Sequence, residues 1–104
     1  MIEIELCAVD DVEMGQPFLA RVEGREPFAV YNVGGTIYVS DDFCTHGRAS
    51  LADEGELDGF KITCSWHDGA FDIRTGEVAA HPCTEPLKVY PVTIREGKVF
   101  ITVD

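Results

Sequence analysis

The sequence predicts an all-β protein, a small antiparallel β-sandwich or barrel interrupted by a stretch of loops. Three observations carry that expectation: β-rich runs alternate with turn signals, no useful window has apolar residues at helical spacing, and Cys, His, Gly and Asp collect in the middle of the chain. Phe28-Ala29-Val30-Tyr31-Asn32-Val33 and Thr36-Ile37-Tyr38-Val39-Ser40 are joined by Gly34-Gly35, a two-residue hairpin signal because both glycines tolerate positive φ. Near the C-terminus Val92, Ile94, Val99, Ile101 and Val103 alternate with period two about a turn at Glu96-Gly97. A shorter hairpin is expected around Thr75-Gly76, between Phe71-Asp72-Ile73 and Val78, and Phe18 to Val22 reads as one more strand before a turn at Gly24 to Pro27. Any helix is limited to a turn or two, with Asp10 to Met14 the expected place. From Phe43 to Gly69 the strand pattern thins, and the composition becomes that of a site mounted on loops between strands.

The chain has 104 residues, 45% of them hydrophobic, enough for one domain with a buried core and too little for a large catalytic machine. Nineteen acidic residues stand against eight basic ones, a net charge of -11. That balance disfavours nucleic acid and anionic membrane as partners, because phosphate binding draws on Lys and Arg clusters. The N-terminal stretch Met1 to Leu6 alternates apolar and acidic residues, unlike a signal peptide, and no run approaches the ~18 apolar residues of a membrane span. The expectation is a cytoplasmic protein, a compartment where closely spaced Cys and His signal metal more often than disulfide.

Cys44-Thr45-His46-Gly47 and Cys64-Ser65-Trp66-His67-Asp68-Gly69 each place a thiolate and an imidazole donor on one tight loop. In extended backbone a residue and its second neighbour point the same way about 6 to 7 Å apart, so Cys44 and His46 can straddle an object larger than one ion. Cys64 and His67 can do the same from a turn. Thiolate with imidazole narrows the metal to zinc, copper or iron and excludes magnesium and calcium. Spacing alone does not separate zinc from iron-sulfur. Structural zinc sites usually pair like ligands, whereas both loops here are mixed, which suits a two-iron cluster with both sulfurs on one iron and both nitrogens on the other. Gly47 and Gly69 let backbone N–H groups approach cluster sulfurs. The plain alternative, two buried cysteines with two incidental histidines, fails to explain the joint spacing.

Cys44-x-His46 with Cys64-x2-His67 resembles the Rieske 2Fe-2S signature. Together with Asp72-Ile73-Arg74-Thr75-Gly76 and Pro86-Leu87-Lys88-Val89-Tyr90-Pro91-Val92, it makes most of the chain similar to the small Rieske ferredoxins of bacterial aromatic-ring-hydroxylating dioxygenase systems. The resemblance implies a Rieske fold spanning residues 1 to 104, with a cluster-binding subdomain at about 42–84 on a β-sandwich base. It further implies one 2Fe-2S cluster, Cys44 and Cys64 on the inner iron, and His46 and His67 on the outer iron near solvent. His81-Pro82-Cys83 would supply a third, covering loop. Respiratory-complex Rieske proteins carry an extra cysteine in each ligand loop and hydroxyls against the cluster; here those neighbourhoods hold Ala49, Trp66, Gly69 and Phe71. With fewer donors to stabilise the extra electron, the potential is expected near the low end of the Rieske range, about -150 mV.

The function implied is that of a one-electron carrier and not an enzyme, passing electrons from an NAD(P)H-dependent flavoprotein ferredoxin reductase to a terminal oxygenase, docking near His46 and His67, and monomeric. The rival readings are the Rieske-type small subunit of an assimilatory nitrite reductase and a colourless structural zinc module. Cys7 reads as a core residue, Cys83 as packing near the cluster, and Trp66 as a shield or a partner-facing edge. Residues 41–72 hold eight acids (Asp41, Asp42, Asp53, Glu54, Glu56, Asp58, Asp68, Asp72) and two bases (Arg48, Lys61), so over half of the -11 lies in this segment. If these acids steer docking to basic partner surfaces, reduction by the reductase in stopped flow slows by about tenfold or more as salt is raised from low to high ionic strength. A salt-independent rate contradicts the steering role.

Overall fold

The computed structural model describes residues 2–45, 49–64, 69–80 and 85–103. The strands run β1 (Ile2–Ala8), β2 (Phe18–Ala20), β3 (Phe28–Val33), β4 (Thr36–Asp41), then a single helical turn α1 (Leu51–Glu54), β5 (Gly55–Asp58), β6 (Lys61–Cys64), β7 (Ala70–Asp72), β8 (Val78–Ala80), β9 (Val89–Tyr90), β10 (Val92–Arg95) and β11 (Lys98–Val103). They form three sheets ordered β1-β11-β10, β2-β3-β4-β9 and β5-β6-β7-β8, and every pairing between these strands is antiparallel.

The middle sheet is buried on both faces. Along β3, Phe28 and Val30 join Val12, Ala20, Ile37, Val39, Val99, Ile101 and Val103 in one core against the first sheet. Ala29 and Tyr31 point the other way, into a second core with Leu51, Ala52, Ile62, Phe71, Ile73 and Leu87. Alternate side chains of a strand face opposite sides, so a continuous apolar run is what a doubly covered strand requires. Inside that second core Tyr31 Oη and Ser40 Oγ are hydrogen-bonded at 2.9 Å, and the Ser40 hydroxyl donates to the Asp41 carbonyl at 2.9 Å. Burial pushes the Tyr31 phenol far above its ordinary range.

Both glycine hairpins form as expected. Gly34 and Gly35 adopt φ of 62° and 94°, and the Gly35 N–H donates to Asn32 Oδ1 at 2.9 Å; Glu96 and Gly97 adopt 50° and 74°. Elsewhere the structure departs from the sequence reading. The strand expected over Phe18 to Val22 stops at Ala20, and the turn expected at Asp10 to Met14 is a 3-10 turn over Val9–Asp11. Ile73 lies beyond the end of β7, in the turn whose Gly76 N–H donates to the Asp72 carbonyl at 2.7 Å. The largest departure is between Phe43 and Gly69, where α1 and the β5–β6 hairpin occupy what read as loop. A helix of four residues has no period to detect, and β5 is an edge strand whose Glu56 and Asp58 are exposed, so its apolar signal is one residue, Leu57.

The third sheet is strapped to the middle one by a polar and aromatic stack. Tyr38 of β4 meets Phe60 edge to face at 5.9 Å between ring centroids, and the Arg74 guanidinium lies 4.1 Å over Phe60 while donating to both carboxylate oxygens of Asp72 at 3.1 and 2.8 Å. That pairing holds the Asp72 carboxyl below the usual carboxylate range. At the other end, the Leu87 N–H donates to the Gly76 carbonyl at 2.7 Å, locking the segment after residue 84 against the β7–β8 turn. Gly76 has φ of 83° and a Cβ there would collide with the Leu87 carbonyl, whereas Gly97, at 74°, faces open space. Gly76→Ala is therefore expected to cost about 3 kcal/mol in denaturant unfolding, and Gly97→Ala only about 1 kcal/mol. Equal losses would show that the approach of Leu87 carries no weight.

Candidate metal centre

The two cysteine loops are built to one plan. The Cys44 N–H donates to the Ala49 carbonyl at 3.0 Å, inside the antiparallel bridge Phe43↔Ser50. The Cys64 N–H donates to the Gly69 carbonyl at 2.7 Å, inside the pair Thr63↔Ala70. Each loop is thus a cysteine, four intervening residues and an acceptor carbonyl, although one histidine motif has a spacer of one residue and the other of two. Cys44 and Cys64 are 4% and 1% exposed and belong to the same apolar cluster with Ala49, Phe71 and Leu87. Gly69 is buried beside them, and Ala49 and Phe71, at 1% and 0% exposure, bring no hydroxyl.

His46, Gly47 and Arg48, then Ser65, Trp66, His67 and Asp68, and His81, Pro82 and Cys83 lie outside the described residues. What the structure brings together is the thiol half of the expected ligand set. Two buried thiols at equivalent points of twin loops, converging on one apolar cluster, fit a centre with two sulfur ligands on one iron. Cys7 is separate. It sits on β1 opposite Val99, half-buried at the edge of the other core rather than inside it. Burial, then the charge of Asp11, push its thiol up to about 11, so it stays protonated and is a poor metal ligand.

A family comparison decides the matter: residues 3–91 match the family described as Rieske [2Fe-2S] domain. The chain belongs to the Rieske [2Fe-2S] family. Its cofactor is accordingly a 2Fe-2S cluster, which when bound takes up and returns a single electron. This Rieske chain is 45% identical over 100 residues to the ferredoxin component of the p-cumate 2,3-dioxygenase system of Pseudomonas putida, covering 96% of this chain and 85% of that protein. It is 43% identical over 98 residues to the ferredoxin component of the naphthalene 1,2-dioxygenase system from the same species, covering 94% and 92%. Among solved structures, the Sphingomonas yanoikuyae B1 ferredoxin superposes with a TM-score of 0.93 at 46% identity, covering 99% of this chain and 100% of that one. The ferredoxin of a complex of reduced oxygenase and oxidized ferredoxin in carbazole 1,9a-dioxygenase superposes at 0.89 with 45% identity, covering 96% and 92%.

Around the Rieske loops the structure adds two residues with roles that spacing did not reveal. Thr45, between Cys44 and His46, donates its hydroxyl to the Glu85 carbonyl at 2.8 Å, tying the first loop to the chain that follows residues 81–84. Asp42, counted above among the acidic residues of a docking ring, is fully buried. Its main-chain carbonyl accepts from the Leu51 N–H at 2.7 Å and its Oδ1 from the Ala52 N–H at 2.8 Å. The ring is further reduced because Asp41 accepts from the Tyr90 hydroxyl and Asp72 is paired with Arg74. The exposed acids of that segment are Asp53, Glu54, Glu56 and Asp58, on α1 and the edge strand β5, while Asp68 lies outside the described residues. No local signal marks Asp42: the N-cap of α1 is Ser50, and Asp42 meets the turn only across the first loop.

Thr45→Val removes the tether and, at about 1 kcal/mol for a net hydrogen bond, is expected to speed amide exchange over residues 85–88 by about fivefold. Thr45→Ser restores slow exchange. Unchanged exchange in Thr45→Val would assign the loop's position to packing alone.

Proposed function

We propose that this Rieske chain carries one electron at a time between a flavoprotein reductase fed by NAD(P)H and a terminal aromatic-ring-hydroxylating oxygenase. Cys44 and Cys64 hold the inner iron and His46 and His67 the outer one, with residues 42–84 forming the cluster-binding part of a single domain. The observation that carries this reading is the pair of twin loops, each closed by its cysteine's N–H and each bearing a buried thiol. It is supported along nearly the whole chain by relatives named ferredoxin components of dioxygenase systems, and by a similar ferredoxin solved in complex with an oxygenase. Those relatives are electron-transfer components, and this chain is one rather than a catalyst. Partners dock near His46 and His67, with Asp53, Glu54, Glu56 and Asp58 supplying the negative field at longer range. No helix among the described residues is long and apolar enough to cross a membrane. The carrier works as a monomer in the cytoplasm, beside its source of NAD(P)H.

The chain's own residues do three things for the electron. The two loops hold the thiols in place, the apolar shell of Ala49, Leu51, Phe71 and Leu87 keeps water from them, and the absence of hydroxyls from these four shell residues disfavours added charge and lowers the potential. Iron and acid-labile sulfide analysis with EPR of the dithionite-reduced protein tests the reading. The expected result is two irons and two sulfides per chain, about -150 mV, and loss of the Rieske signal in His67→Ala. A colourless protein holding zinc would refute the cluster, and a Rieske signal that survives His67→Ala would refute the ligand set.

A further inference from the structure

The twin loops differ in how their necks are held. Outside the Thr63↔Ala70 pair, the second loop continues into a regular ladder, Ile62↔Phe71 and Lys61↔Asp72. Outside the Phe43↔Ser50 bridge, the first loop has no ladder, because the chain turns at once into α1. The position that a next strand pair would occupy is taken by Asp42. Its main-chain carbonyl accepts Leu51 N–H, which together with Cys44 N–H on the Ala49 carbonyl closes the Phe43↔Ser50 bridge, and beyond that bridge its buried Oδ1 accepts Ala52 N–H. Ser50 Oγ, at the N-cap, accepts from the third amide of α1, Asp53 N–H, at 3.2 Å. A four-residue helical turn has no stability of its own, so these acceptors, together with the burial of Leu51 and Ala52 in the second core, keep it in place. The Asp42 N–H donates to the Pro27 carbonyl at 3.2 Å, fixing the residue to the chain just ahead of β3. Asp42 Oδ2 is buried with no hydrogen-bond partner among the described residues. A carboxylate kept in the core with one oxygen unsatisfied is unfavourable in itself and is tolerated only where the other oxygen is needed.

We propose that Asp42 is a positioning residue for the cluster, clamping the neck of the loop that carries Cys44 and His46 where the other loop uses β pairing. The inference rests on the reading of Cys44 as an iron ligand. It assigns the two necks different supports beyond their first bridge: the Cys64 side continues into its sheet, and the Cys44 side is held there by a buried carboxylate.

The test compares four holoproteins, wild type, D42A, D42N and V99A, the last weakening the opposite core, by the rate of bleaching under an iron chelator and by EPR of the reduced state. D42A is expected to lose its cluster about tenfold faster than wild type with altered g-values, and D42N, which keeps an oxygen for the Ala52 N–H, to stay within about twofold. V99A is expected to keep the wild-type rate and spectrum. A wild-type rate in D42A overturns the proposal, as does bleaching of V99A as fast as D42A, which would assign the effect to general stability, or bleaching of D42N as fast as D42A. If D42A yields no folded protein, amide exchange of Ala52 in the wild-type holoprotein decides: exchange as slow as the core strands supports the clamp, and exchange as fast as exposed loops overturns it. A wild type lacking iron, or a C44S variant retaining the full Rieske signal, would instead refute the ligand reading on which the proposal stands.

Discussion

The proposed centre draws its ligands from loops twenty positions apart, so those loops must be held relative to each other, and that holding begins with a backbone hydrogen bond. Each cysteine spends its own N–H on the carbonyl five residues ahead, which closes the neck of its loop and leaves the thiol buried in apolar surroundings. A buried N–H must find an acceptor, so closing the loop and burying the sulfur are one event. Nothing larger is needed from the rest of the chain than to hold the two closures in place. The third sheet does so directly for Cys64, and the middle sheet does so for Cys44 through Asp42.

How much of this was legible in the sequence follows from the range of the interactions. Gly34-Gly35 and Glu96-Gly97 declare their hairpins because the turn chemistry is local, and the period-two pattern of Val99, Ile101 and Val103 declares its buried face. The four ligand candidates are equally legible, since thiolate and imidazole at short spacing are uncommon by chance. Three things were not. The β5–β6 hairpin turns at Gly59-Phe60, where Gly59 alone is a turn signal, and its flanking runs are four residues each, with Glu56 and Asp58 on the exposed face of β5. The common plan of the two loops is hidden because the cysteine-to-histidine spacing differs while the backbone closure is the same. Asp42 looked like surface charge because charged residues usually are; only the three-dimensional position of α1 gives its carboxylate a partner.

Acidic residues in this chain therefore serve different ends that composition merges into one number. Asp42 is an acceptor inside the core, Asp72 orients the arginine that straps two sheets together, and Asp41 receives the Tyr90 hydroxyl. Glu3 and Glu5 of β1 pair with Arg95 and Lys98 across the outer face of the first sheet. Within residues 41–72, the exposed acids left among the described residues are those on α1 and β5, while Asp10, Asp11, Glu13, Glu23, Glu77, Glu85 and Glu96 are exposed elsewhere on the surface. A field from four carboxylates on one edge is more directional than the same net charge spread evenly, and directionality is what productive encounter requires.

The double burial of the middle sheet has a consequence for how this chain can change over generations. Neighbouring residues of β3 answer to different masters: Phe28 and Val30 are judged by the fit of the scaffold core, Ala29 and Tyr31 by the fit of the core that surrounds the two thiols. A substitution moved by a single position along one strand thus passes from a question of thermal tolerance to a question of how well iron is kept. Drift along β3 should be paced by two clocks that alternate residue by residue.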